Sequence, residues 1–202
     1  VILDVSSPAF VPLITSPTPT DSVEEPLAER EDVKEKQRLL KNSFLRKAFR
    51  RISHTRPPPL SRAKLLVALH RIDMEKHSLK LKHVLDAIGL CVAEKDEYTA
   101  DIMKEAILVL LEDDIPAVAL MRTVLLSAQA MPEMQKFALQ EVIPRLVRKK
   151  TWLIAPKVWE GVLMCVKTFN SQRDFEPTIR AFVGLPMTQL KSVITIAKDV
   201  KG

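Results

Sequence analysis

Glycine is scarce, with 4 residues in a chain of 202. So few backbone positions free to take positive φ disfavour a Gly-rich phosphate loop, a dinucleotide fold and a hairpin-rich β protein. Cysteine is scarcer still. Cys91 and Cys165 cannot build a disulfide framework, and both fall within apolar helical patterns. They read as buried reduced thiols of an intracellular protein. Aromatic residues make up only 5%. No apolar run approaches the ~20 residues of a membrane span. The long uncharged stretch 5–20 is broken by Pro8, Pro12, Pro17 and Pro19 and lacks a basic leader, so it is not a signal peptide. The chain begins with Val rather than Met, which is expected of a piece of a longer protein or of one with internal segments removed.

What is present belongs to an ordinary soluble chain: 47% apolar and 28% charged residues, with a formal charge of +6. The charge is segregated. Residues 1–32 hold one Arg and seven acids, whereas 34–56 hold nine Lys or Arg and one Glu. The first 26 residues are rich in Pro, Ser and Thr without a steady period, so they read as a linker or disordered segment. The two blocks of opposite charge either pair locally or are each simply solvated.

From Leu27 onward the spacing is helical. Leu40, Phe44, Leu45, Ala48, Phe49 and Ile52 recur at three and four residues, which predicts one apolar stripe on a basic amphipathic helix over 27–56. Pro57-Pro58-Pro59 then locks an extended spacer. Beyond it, 57–202 reads as helix after helix, with starts near 60, 78, 98, 116, 133, 157, 174 and 186. Ser61 and Thr99 stand where caps belong, and Pro116, Pro132, Pro156 and Pro186 stand at helix starts. Pro144 falls inside a helical pattern and should kink or break it near Val142. All but the last of the alternate helix starts lie about 35–41 residues apart, close to the period of HEAT-type pairs. The expectation is therefore an all-α fold of stacked antiparallel helix pairs after an irregular N-terminal segment, with a compact bundle as the structural alternative.

No catalytic constellation stands out. His54, His70, His77 and His83 form no metalloprotease spacing, and there is no Cys-x-x-Cys or Gly-x-Ser-x-Gly. His83 with Cys91 lacks the second pair that a zinc site needs. Asp113-Asp114 reads as a charged helix end. No enzyme, metal, cofactor or small-molecule substrate is expected. Arg122 either snorkels into water or reaches a carboxylate on the next helix, and Glu160, beside Trp159, is the candidate. Trp159 itself is expected in an interhelical groove. The run Arg145, Arg148, Lys149 and Lys150 either complements a helix C-terminus or meets an acidic partner or RNA. Arg46, Lys47, Arg50 and Arg51 on the earlier basic helix pose the same choice. Phe44 and Phe49 lie on the apolar stripe, so they read as packing residues rather than as a base-stacking platform.

From Pro59 onward several stretches resemble the C-terminal region of the symplekin family, the scaffold subunit of the messenger-RNA 3′-end cleavage and polyadenylation machinery. They are Leu65-Leu66-Val67-Ala68-Leu69-His70-Arg71-Ile72-Asp73, Leu90-Cys91-Val92-Ala93-Glu94 with Tyr98-Thr99, and Leu120-Met121-Arg122-Thr123-Val124. Pro156-Lys157-Val158-Trp159-Glu160-Gly161 and Leu185-Pro186 with Gln189-Leu190 follow in the family's order. Residues 41–55 are similar to the family helix that precedes this region. The resemblance implies a non-catalytic HEAT-like scaffold in the nucleus. It implies as partners the metallo-β-lactamase-type endonuclease and its inactive homologue, through their C-terminal regions, and other 3′-end processing factors. A helical RNA-binding module using the basic helices is the alternative, suggested by a pI of about 9.4.

Overall fold

A computed structural model describes residues 27–55, 60–169 and 176–199. The linker segment 1–26, the spacer Pro57-Pro58-Pro59 and Phe175 lie outside the described residues. Every regular element among the described residues is helical, so the chain is all-α.

Two units are distinguished, Val1–Arg38 and Leu39–Gly202. In the first, the described residues form the opening turns of α1 (Leu27–His54). Residues 31–38 are exposed and laced by short-range ion pairs, Lys36 with Asp32 at 3.0 Å and Arg38 with Glu35 at 2.9 Å. A polar helix supported this way carries no core of its own.

Among its described residues the second unit holds the rest of α1 and ten further α-helices: α2 (Arg62–His70), α3 (Leu81–Ala93), α4 (Ala100–Leu111), α5 (Leu120–Ala130), α6 (Pro132–Phe137), α7 (Ile143–Arg148), α8 (Thr151–Ile154), α9 (Pro156–Phe169), α10 (Glu176–Val183) and α11 (Met187–Asp199). Their contacts define two layers. In one, α2 meets α4, α4 meets α6, and α7 meets α10; in the other, α3 meets α5, α5 meets α9, and α9 meets α11. Alternate helices thus stack on each other, the pattern of successive helix pairs. Leu66, Ile88, Met103, Ile107, Leu120, Leu139 and Ile143 are fully buried in a single hydrophobic cluster that runs from Ala63 to Val193.

Local chemistry accounts for several helix boundaries. Ser61 caps α2, its Oγ accepting from the Lys64 amide at 3.2 Å. Thr99 precedes α4 without a side-chain cap bond. Pro132 and Pro156 open α6 and α9, as expected, because the first turn needs no donor from them. Pro116 does not open a helix: α5 starts at Leu120, after a turn closed by the Leu120 amide on the Ala117 carbonyl. The four-residue α8 has no counterpart in the spacing pattern.

Pro144 does not break its helix. The chain stays helical from 132 to 148, with a π turn at Ala138–Val142 between α6 and α7. The extra residue per turn relieves the clash that the proline ring would make with the preceding turn. Ile143 N–H now bonds to Ala138 O, five residues back. The next rung would run from residue 144 to Leu139 O, and proline has no N–H to make it. Thr178 of α10, fully buried, donates its hydroxyl to that orphaned carbonyl.

Candidate functional site

The C-terminal half of α1 packs with one side and leaves the other free. Leu45, Ala48, Phe49 and Ile52 are half-buried, and Phe49 packs against the main core. Arg46 and Arg50, beside that packing side, both reach Glu94, just past the C-terminus of α3. The distances are 3.4 Å from Arg46 Nε and 2.7 Å from Arg50 Nη2. The hydrogen bond to Glu94 raises the Arg50 pKa further. Glu97 takes Arg62 of α2 and lies 3.4 Å from His54 Nε2. The Arg62 guanidinium holds the Glu97 carboxyl below the usual carboxylate range. Two of the four cations singled out on this helix are therefore bound internally and are not free for a partner. Arg46, Arg50 and His54 are exposed while Glu94, Glu97 and Arg62 are half-buried, so these pairs set the seating of α1 more than they stabilise the fold.

The expected stripe divides. Leu40 is 74% exposed and Phe44 73% exposed. Lys47 and Arg51 lie on the same side of the helix, are exposed, and make no ion pair among the described residues. Phe44 is thus not a packing residue, because the stack meets α1 one face away.

The second basic run divides in the same way. Arg145 pairs with Glu141 at 3.1 Å and approaches Glu112 at 3.7 Å. Lys149 Nζ donates to the Asp113 carbonyl at 2.8 Å, while the Asp113 carboxylate receives Arg71 at 2.6 Å. Asp113 is thereby a tie between α2 and the end of α7. Arg148 and Lys150 are exposed and make no ion pair among the described residues. Lys150 takes φ of 54° in the corner between α7 and α8, a left-handed position unusual for a lysine.

Trp159 is 7% exposed and meets Trp152 of α8 edge-to-face, the ring centroids 5.6 Å apart. The sequence pattern offered no sign of this pair, since α8 itself was not foreseen. Arg122 and Glu160 are both exposed and no ion pair joins them, so that carboxylate contact is not made. What joins α5 to α9 here is Gly161, where an added Cβ would collide with the Met121 side chain.

Buried polar groups complete the picture. His70 Nδ1 lies 2.8 Å from Leu66 O, which can only accept, so Nδ1 carries the proton. His70 Nε2 then accepts from the Thr123 hydroxyl at 2.8 Å. Burial pushes the His70 pKa down, against the opposing hydrogen bond to Leu66. Thr151 donates to Leu146 O at 3.1 Å. Burial pushes the Cys91 thiol up to about 11 and the Cys165 thiol up to about 12. Neither is a nucleophile at neutral pH. No group of three metal-ligating side chains converges among the described residues, and none of their helices is long and apolar enough to cross a membrane. The exposed features described above are short apolar patches edged by cations that make no ion pair among the described residues, a chemistry suited to macromolecular contact.

No solved structure matches the chain. A family model described as "Symplekin tight junction protein C terminal" matches residues 30–197, a span that includes the free face of α1 and the whole stack up to α11. The chain therefore belongs to the symplekin C-terminal family.

Proposed function

We propose that this chain is the C-terminal, protein-binding scaffold module of the pre-mRNA 3′-end cleavage and polyadenylation machinery, acting in the nucleus. Its partners are the C-terminal regions of the metallo-β-lactamase-type endonuclease and of that enzyme's inactive homologue. It holds them in register and cuts nothing itself. The observation that carries this reading is membership of the symplekin C-terminal family over residues 30–197. Stacked helix pairs support it, because they offer a long surface able to hold more than one partner. Exposed apolar side chains occur on several helices of the stack, among them Met164 on α9, Val183 on α10 and Met187 on α11.

Lys47, Arg51, Arg148 and Lys150 keep an RNA-binding reading in play as the competitor. Single strands are held by series of stacked aromatics, and the exposed half of α1 offers Phe44 alone. The protein-scaffold reading is the stronger. It is tested by co-expressing the chain with the two C-terminal regions and running size-exclusion chromatography at about 0.15 M and about 0.5 M salt. A complex that elutes intact at both salts is expected, since an apolar interface is only weakly screened. Absence of a complex, together with RNA binding that collapses over the same interval, would transfer the function to RNA.

A further inference from the structure

Residues 39–54 carry five Lys or Arg and no acid. Among the described residues one acid elsewhere on the stack answers this charge, Glu94 taking Arg46 and Arg50, while Glu97 approaches His54. Both lie on the packed flank. The opposite side keeps Leu40, Phe44, Lys47 and Arg51 at spacings of four, three and four residues, which align them along one face of the helix. Two large apolar side chains are followed by two cations that make no ion pair among the described residues, and all four are exposed. The face is not the polar surface of an ordinary solvated helix, because its exposed Leu40 and Phe44 are large and apolar. Nor is it a core face, because the core lies on the other side.

We propose that this stripe docks an amphipathic acidic helix of a partner protein, with apolar side chains over Leu40 and Phe44 and carboxylates over Lys47 and Arg51. Charge complementarity selects the occupant: an acid-free stretch of helix over 39–54, with two cations that make no ion pair among the described residues next to an apolar pair, favours carboxylates at matching spacing. The order of residues also selects the direction. An antiparallel partner helix places its carboxylates near its own N-terminus, where the helix dipole favours them, and opposes the two macrodipoles. Its pattern is two acids four residues apart, then an apolar residue three further on and another four beyond that. The inference rests on the scaffold reading and adds to it which face of α1 is used and what chemistry it receives. RNA phosphates are the competing ligand, and one exposed aromatic is a poor stacking platform for them.

The test uses the full chain and a fluorescein-labelled 18-residue synthetic helix with Glu at positions i and i+4 and Leu at i+7 and i+11, read by fluorescence anisotropy. Phe44→Ala and the pair Lys47→Glu with Arg51→Glu should each weaken binding at least tenfold. Arg148→Glu with Lys150→Glu should leave it unchanged. A second peptide, with Lys replacing both Glu residues, should bind the Lys47→Glu, Arg51→Glu chain better than it binds the original. A peptide with the order reversed, Leu first and Glu last, should bind at least threefold more weakly. Equal binding by the original and charge-reversed chains would overturn the proposal. So would a twelve-residue oligouridylate that binds more tightly than the peptide through the same residues. Circular dichroism of each variant establishes that α1 is intact. Undiminished co-elution of the charge-reversed chain with the endonuclease regions would likewise overturn the docking face while leaving the scaffold reading standing, whereas failure of the original chain to co-elute would overturn the scaffold reading.

Discussion

Replacing Thr178 with Val is the sharpest probe of how the stack tolerates a proline in mid-helix. The two side chains are nearly isosteric and have similar helix propensity, so packing and α10 itself change little. The hydroxyl lost is fully buried and is donated to Leu139 O. An ordinary hydrogen bond of this kind contributes ~1 kcal/mol, but a buried carbonyl left without any donor costs ~1–3 kcal/mol. Leu139 is at the upper end of that logic. Its nearest helical donors are already ruled out, because Ile143 N–H is committed to Ala138 O and Pro144 has no N–H. For a domain of this size ~1–3 kcal/mol corresponds to a fall of roughly 2–12 °C in Tm. Urea melts followed by far-ultraviolet circular dichroism would measure it, with an unchanged m-value showing that the native fold is retained. The proline supplies the control. Pro144→Ala restores an amide at residue 144, so in that background Thr178→Val should cost about 1 kcal/mol less. A cost below ~0.5 kcal/mol, or the same cost in both backgrounds, would refute the link between the π turn, the proline and the threonine.

Three further outcomes follow from the packing. Trp159→Ala should cost ~3–5 kcal/mol, since the ring is buried against Trp152; an unchanged melting point would mean that the indole packs against nothing that matters. Gly161→Ala should destabilise by ~1–2 kcal/mol, because the new methyl meets the Met121 Cβ, whereas Gly89→Ala, with open space around it, should stabilise by ~0.5–1 kcal/mol. Equal effects at the two glycines in denaturant melts would remove the close approach of α5 and α9. His70 binds a proton less tightly in the folded chain than in the unfolded one, so its contribution is complete above the ordinary histidine pKa of about 6.5 and is lost as pH falls through its depressed folded value. Stability should therefore decline with acidification from about pH 6.5, and His70→Gln should flatten that decline; parallel profiles would show that His70 is not the group responsible.

The helical architecture was legible in the sequence because it rests on local periodicity. Recurrence at three and four residues marked α1 from Leu27 to His54 and every longer helix after it, and Ser61, Pro132 and Pro156 marked boundaries through local backbone chemistry. Family membership was legible for a related reason, as an ordered set of short motifs that the family match over 30–197 bears out. The candidate surface was only half legible. Arg46 and Lys47 are adjacent in the chain and alike in charge, yet the first reaches Glu94 and the second stays exposed. Phe44 and Phe49 share one pattern, yet one is in water and the other against the core. Periodicity states that a helix has an apolar side but not how much of that side its neighbours cover. Coverage is settled by where α3 and the turn after it sit, a contact across more than 40 residues: Arg50 and Glu94 are 44 apart. Thr178 and Leu139 are likewise separated by 39 residues, and no local rule links a threonine to a carbonyl left bare by a distant proline. What the sequence by itself determined was the helices and their family. Which side chains remain free to meet a partner was decided only when those helices packed, because pairing and burial depend on distances in space that residue spacing along one helix does not encode.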